Sequence, residues 1–245
     1  KKAFLINGAS GGMIGAAYFR ELYLRKQQGK NIHLQDNQYV DDIAGDLLNP
    51  LFISFFSRDL IAPAQKFSVG SYTYVKDRGY AFEQKLNTNT RGYLNKQLKD
   101  YVADEKAANI PLMFFSSVIT RDSRKMMICS QPLRFMMRAP MDTTRLPAAD
   151  PDAVDYVSFF AKQDPYNIRI LSAMRMNATF PIVLPNVWLP SDPVIDVMDA
   201  GLRDNYGQET TLRFLTNFEE WIKENTSGVL LLQIRDRAAG AWEHP

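Results

Sequence analysis

A chain of 245 residues, 46% hydrophobic and 23% charged, has the composition of a globular protein with room for one large α/β core. Its 29 basic and 27 acidic side chains leave a net charge of +2, which gives no case for nucleic-acid binding built on phosphate neutralisation. One cysteine, Cys129, excludes an intrachain disulfide and a cysteine-built zinc site, and two histidines, His33 and His244, exclude any centre that needs several imidazoles.

The chain opens at Lys1 and runs at once into an apolar, strand-like segment, Ala3 to Asn7, so it reads as one domain over residues 1–245, trimmed from something longer at its N-terminus, with trimming at its C-terminus left open. A glycine cluster, Gly8 to Gly12, ends the strand, and a helical stretch from Met13 to about Gln28 follows, with Gly29 as its stop. Residues 38–67 read as helices broken at Pro50 and Pro63, and residues 68–91, rich in Tyr, as loop with short elements. Helical composition returns from Gly92 to Asn109. A buried strand, Pro111 to Ile119, is then expected to pair with Lys125 to Ser130 across a turn at Thr120 to Arg124.

After a proline-rich loop (Pro140, Pro147, Pro151), a helix is expected near Pro151 with Asp150 as its cap, and another over residues 167–178. A short apolar strand, Val194 to Met198, runs into Asp199-Ala200-Gly201. A long amphipathic helix spans Gln208 to Asn225, and Val229 to Ile234 is a last buried strand. The alternation of strands and helices predicts an α/β fold, a three-layer α/β/α sandwich around a mostly parallel sheet. No apolar run approaches the ~20 residues of a membrane span. With no disulfide framework, a cytoplasmic or peripheral-membrane protein is expected rather than a secreted one.

Gly8-Ala9-Ser10-Gly11-Gly12 fits G-x-S-x-G between a strand and a helix, the setting of a nucleophile elbow. There the serine sits on a sharp turn that calls for small neighbours, and the helix N-terminus beneath it favours an oxyanion. Two other readings stay open. A dinucleotide-binding turn, as in short-chain dehydrogenases with a nicotinamide cofactor, also uses three glycines, but Gly15 falls one residue late, and the Tyr72–Lys76 pair comes early for that chemistry. Alternatively, the glycines serve only tight strand–helix packing.

A serine nucleophile needs a base. His33 lies past the far end of the first helix, roughly 20 Å or more from Ser10 by the helical rise, and His244 is the penultimate residue. That leaves carboxylates. Asp199 ends a strand, and Gly201 lets the chain turn just after it; Asp196 is its rival but falls inside the strand. Desolvation would give such an Asp the basicity to take a serine proton.

With Ser10 and Asp199 in these settings, the chain resembles the patatin-like phospholipases, which pair a G-x-S-x-G serine with an Asp in an Asp-Gly-Gly or Asp-Gly-Ala turn. Asp199-Ala200-Gly201 with Asn205 beyond it, and Ser172-Ala173 followed by Phe180-Pro181 and Pro185, carry the rest of the likeness, which runs from about residue 3 to 207. Ala200 stands where the family has Gly, which is tolerable at negative φ. The resemblance implies a patatin-like fold and a serine lipid acyl hydrolase of phospholipase A or carboxylic-ester type. Ser10 is the implied nucleophile and Asp199 the general base; Gly8, Gly11 and Gly12 shape the elbow and oxyanion site, and Gly201 supports the turn. No cofactor and no metal are implied; the partner is a lipid ester, with peripheral membrane contact. The family's glycine-rich oxyanion loop precedes the elbow, and this chain does not carry it, so weak activity of the fragment alone is expected. A patatin-type fold kept as a non-catalytic lipid- or partner-binding module is the alternative from another class.

Secondary features have a functional and a structural reading. Seven of the ten methionines fall between residues 126 and 176 and either line an acyl pocket or fill the core. Leu47 to Leu60, with Phe52, Phe55 and Phe56, forms either a lid for lipid or a buried helix. Arg58, Arg121, Arg124, Arg134 and Arg138 either meet lipid phosphates or are solvated. Cys129 reads as a buried strand residue.

Overall fold

A computed structural model describes residues 3–61, 66–69, 72–138, 150–180 and 183–235. Pro63, Pro140, Met141, Pro147, Pro181 and His244 lie outside them, as does the side chain of Arg58. The chain opens with strand β1 (Leu5–Asn7) and passes through Gly8 and Ala9 into helix α1 (Ser10–Gln27). Gly29, at φ 79°, ends α1 as expected, and the Lys30 N–H donates back to the Arg25 carbonyl at 3.0 Å. Helices α2 (Asn37–Ala44) and α3 (Leu48–Ser54) follow, and α3 runs on through a π-type turn over Phe55–Asp59. Pro50 does not break the chain as expected. It is the third residue of α3, where its missing N–H costs nothing, and the Asp46 carboxylate caps that end by accepting from Leu48 at 2.9 Å and Asn49 at 3.1 Å.

The stretch expected as loop contains a separate antiparallel hairpin, β2 (Lys66–Val69) with β3 (Tyr72–Val75), and a full helix, α4 (Arg78–Asn89). Asp77 caps α4 by accepting the Tyr80 N–H at 3.0 Å. Helix α5 (Lys99–Lys106) is shorter than the helical region expected there. Strands β4 (Leu112–Ile119) and β5 (Lys125–Ile128) pair antiparallel, as expected.

The helix expected at Pro151 is absent. Ala153–Asp155 add to the sheet as β6, parallel to β5, and Asp155 rather than Asp150 acts as cap, accepting the Val157 N–H of α6 (Tyr156–Phe159) at 3.2 Å. After α7 (Ile170–Asn177) come β7 (Val187–Leu189), β8 (Ile195–Met198) and the short α8 (Gly201–Asp204). The single helix expected from Gln208 to Asn225 is two, α9 (Gln208–Asn217) and α10 (Glu219–Asn225). Phe218 leaves helical geometry between them, and its ring meets Phe214 at 4.8 Å and the Phe135 ring edge-on at 5.2 Å. Val229 to Ile234, expected as a buried strand, has no regular structure and is exposed.

The main sheet has the order β6–β5–β4–β8–β7, with β1 also paired to β4. It is mixed, not mostly parallel. Pairs β1–β4 and β5–β6 are parallel, while β4–β5, β4–β8 and β7–β8 are antiparallel. The connections at Thr120–Arg124 and at residues 190–194 are too short for a crossover and force antiparallel return.

Strand β4 is buried on both faces. Met113, Phe115 and Ile119 join the core beneath α1, α4 and α7, while Phe114 joins Met127, Cys129 and Phe214 on the other side, beneath α9. Helices therefore cover both faces of the sheet. Among the described residues no helix is long and apolar enough to cross a membrane.

One edge of β4 sets up the site. Its first half pairs with β1 in parallel, ending at Asn7 opposite Phe114, and its second half pairs with β8 antiparallel, ending at Met198 opposite Val118. The carboxyl ends of β1 and β8 therefore point at each other, and the residues after each strand, 8–10 and 199–201, meet in the gap beside Ser116 and Ser117.

Candidate active site

Ser10 stands at the first position of α1 with φ 54°, a left-handed conformation that a residue with a side chain adopts at a cost of about 1–3 kcal/mol. This is the strained strand-to-helix turn expected of an elbow. The crowding expected around its glycines is not present at all of them. A Cβ on Gly8 would make only an ordinary contact with Met13, and Gly11 and Gly12 are exposed with nothing within 4 Å of a Cβ position. What the two exposed glycines leave open is the backbone. Among the described residues helix α1 has no side-chain cap and no acid in its first turn, so the Gly11 and Gly12 N–H groups and the positive end of the helix are placed to meet an anion.

Asp199 is 4% exposed. Its N–H donates to the Thr179 carbonyl at 3.1 Å, and the next N–H, of Ala200, to the Asn177 carbonyl at 3.2 Å. Its Oδ1 accepts the Gly201 N–H at 2.7 Å, and its buried Oδ2 completes no hydrogen bond among the described residues. Burial raises the Asp199 pKa above the usual carboxylate range, and the Gly201 N–H and the nearby Ser10 hydroxyl offset this only in part. A carboxylate so desolvated, with one oxygen uncommitted beside a serine hydroxyl, is a proton acceptor. Gly201 is required by close approach, since a Cβ would lie 2.9 Å from Asp199 Oδ1 and 3.1 Å from Asn205 Oδ1. Ala200 has φ −62°, so its methyl group is unstrained.

The other described candidates do not reach Ser10. Asp196 is committed to Thr120 Oγ1 at 2.6 Å and Asn186 Nδ2 at 2.7 Å. His33 is exposed, beyond the far end of the 18-residue α1. Tyr72 is the first residue of β3 and Lys76 follows that strand, so the pair belongs to the separate hairpin and not to a helix.

Three residues that no sequence motif marks, Asn7, Gly207 and Asn177, also shape the site. The Asn7 side-chain amide donates to the Gly207 carbonyl at 3.0 Å and to Thr211 Oγ1 at 2.5 Å, tying β1 to the start of α9. Gly207 has φ 68°, and a Cβ there would overlap Asn7 Oδ1. Asn177, fully buried, donates from Nδ2 to the carbonyls of Gly8 at 3.2 Å and Ser116 at 2.9 Å. The available signal was an amide inside an otherwise apolar element, since buried polar groups are almost always hydrogen-bonded.

An apolar cleft of about 470 Å³ opens from Ser10 and Gly11 and is walled by Ile14, Ile43, Leu51, Phe82 and Leu184. Leu47 also lines it, while Phe52 and Phe56 are exposed on the outer side of the same segment. None of the described methionines lines it. Met126, Met127, Met136, Met174 and Met176 are ordinary core residues, and so is Cys129. Arg124 pairs with Asp122 at 2.6 Å, Arg121 is exposed, and Arg134 and Arg138 lie across the sheet from the cleft, in the segment that packs on α9. Among the described residues no cluster of His, Cys, Asp and Glu is placed to hold a metal ion. No family model matches the chain, and no curated protein and no solved structure matches it.

Proposed function

We propose that this chain is the catalytic unit of a serine acyl hydrolase of the patatin-like type, acting on lipid or other carboxylic esters through a Ser10–Asp199 dyad. One observation carries the reading: β1 and β8 meet end to end on β4 and set a strained serine beside a buried carboxylate with an uncommitted oxygen. In the proposed reaction Ser10 Oγ attacks the ester carbonyl carbon as Asp199 takes the hydroxyl proton. The carbonyl oxygen gains the negative charge and is met by the Gly11 N–H, with the Gly12 N–H beside it. The tetrahedral centre collapses, the leaving alkoxide takes the proton from Asp199, and an acyl-serine remains. Water, deprotonated by Asp199, then releases the acid and restores Ser10. The apolar cleft beginning at Ser10 suits the acyl chain.

The test is covalent labelling of the full-length protein with a fluorophosphonate, mapped by mass spectrometry, together with ester hydrolysis by Ser10→Ala. Labelling on Ser10 and a fall of about 10³-fold or more in kcat are expected. Hydrolysis by Ser10→Ala at the unaltered rate overturns the proposal.

A further inference from the structure

We propose that Asn177 is a positioning residue that sets the distance between the nucleophile and its base; the inference rests on the Ser10–Asp199 reading above. Asn177 is the last residue of α7 and has no exposed surface. Its Nδ2 carries two protons and spends both on backbone carbonyls, that of Gly8 two residues before the nucleophile and that of Ser116 on β4. Its own carbonyl accepts the N–H of Ala200, the residue next to the base, at 3.2 Å. One residue thus holds the elbow, the central strand and the aspartate turn at once, and no other described hydrogen bond is made from a single residue to both catalytic turns.

The need for such a tie follows from the topology. In a continuous parallel sheet, two catalytic turns are held in register by ladder hydrogen bonds. Here β1 and β8 stop short of each other and share only β4, so over residues 8–10 and 199–201 no strand pairing fixes the gap. Asn177 spans that gap from the helix layer. Thr179, two residues on, ties α7 to the same turn. Thr179 Oγ1 donates to the Arg175 carbonyl at 2.6 Å, and the Thr179 carbonyl takes the Asp199 N–H. Arg175 anchors α7 on α4 through Asp77 at 2.7 Å, its guanidinium filling the space where a Cβ on Gly79 would stand. A chain from α4 through α7 to both turns therefore transmits one geometry. A displacement of the order of 1 Å between reacting groups costs about 10²-fold in rate, so a side chain that touches neither substrate nor proton still acts on kcat.

The experiment compares Asn177→Ser and Asn177→Asp with the unaltered full-length protein and Ser10→Ala, using p-nitrophenyl butyrate. Asp keeps the size of Asn but has no proton to give either carbonyl; Ser keeps a small polar group and cannot span both. A kcat lowered about 10–100-fold with KM within about twofold, and Ser10 labelling slowed in parallel, is expected in variants that melt cooperatively. A folded variant with unaltered kcat overturns the inference, as does a loss of kcat equal to the loss of folded fraction. If neither variant folds, the side chain serves the fold alone and the inference is likewise overturned. If Ser10→Ala keeps full activity, the Ser10–Asp199 reading fails and the role of Asn177, which rests on it, falls with it; an inactive Ser10→Ala beside a fully active Asn177 variant overturns the role of Asn177 alone.

Discussion

At the scale of the residue, Asp199 shows why a buried carboxylate is costly to the fold that holds it. Its carboxyl is buried, and burial raises its pKa above the value it has in the unfolded chain. The folded state then binds the proton more tightly than the unfolded state. Stability is unaffected below the unfolded pKa and falls as pH rises through the folded one, so wherever Asp199 is ionised it is a net cost. Asp199→Asn keeps an oxygen for the Gly201 N–H and removes the buried charge. Thermal melts should therefore show Asp199→Asn with the higher Tm at pH 7, the gap closing as pH approaches 4, while labelling of Ser10 is lost. An unchanged or lower Tm at pH 7 counts against the assigned burial cost. In the unaltered protein, labelling should require ionised Asp199, and the acid limb of its pH profile should lie above the ordinary carboxylate range. A limb at the usual Asp value would show that Asp199 is not the acceptor.

At the scale of the element, the cleft is built by packing α2, α3 and α4 against the start of α1 and the segment after α7. Leu47 sits on its wall and is partly exposed, so a larger ring there should fill the cleft without disturbing the core. Leu47→Trp is expected to lower kcat/KM for dodecanoyl esters by about 10-fold relative to butanoyl esters, the size of effect that apolar fit supplies. Equal loss on both would place the acyl chain elsewhere.

The elements with one dominant signal were legible in the sequence: β1 and the elbow from a glycine cluster after an apolar run, β4 from eight nearly apolar residues, β8 from a short run ending at Asp199. Elements decided by tertiary pairing were not. Ala153–Asp155 has a helix-like flank, yet the open edge of β5 takes it as a strand. The break at Phe218 needs the Phe135 and Phe214 rings, which are remote or a turn away. Likewise Ser10 and Asp199 could be named from local motifs, whereas Asn7 and Asn177 gain meaning only once β1 and β8 are seen to meet. Their partners lie 169 to 204 residues away for Gly8, Gly207 and Thr211, and no local pattern encodes such contacts.

At the scale of the whole molecule, apolar content and stability are separable. Val229 to Ile234 is as apolar as β4, and on composition alone both are core strands. Yet Leu230, Leu232 and Ile234 are 82%, 82% and 85% exposed, whereas Phe114 is fully buried between Met127 and Phe214. Free energy follows the area removed from water, not the residue type, at about 25 cal/mol per Å². Replacing Leu230, Leu232 and Ile234 together with Ser should therefore leave the chemical-denaturation midpoint nearly unchanged. Phe114→Ala should cost about 3–5 kcal/mol, the range for a buried ring that leaves a cavity. It should also perturb the site at a distance, because Phe114 is the β4 residue paired with Asn7 and so sets where β1 ends and the elbow begins. Slower Ser10 labelling in the fraction of Phe114→Ala that remains folded is the expected outcome. Labelling at the unaltered rate would mean that β1 holds its register on β4 without that side chain.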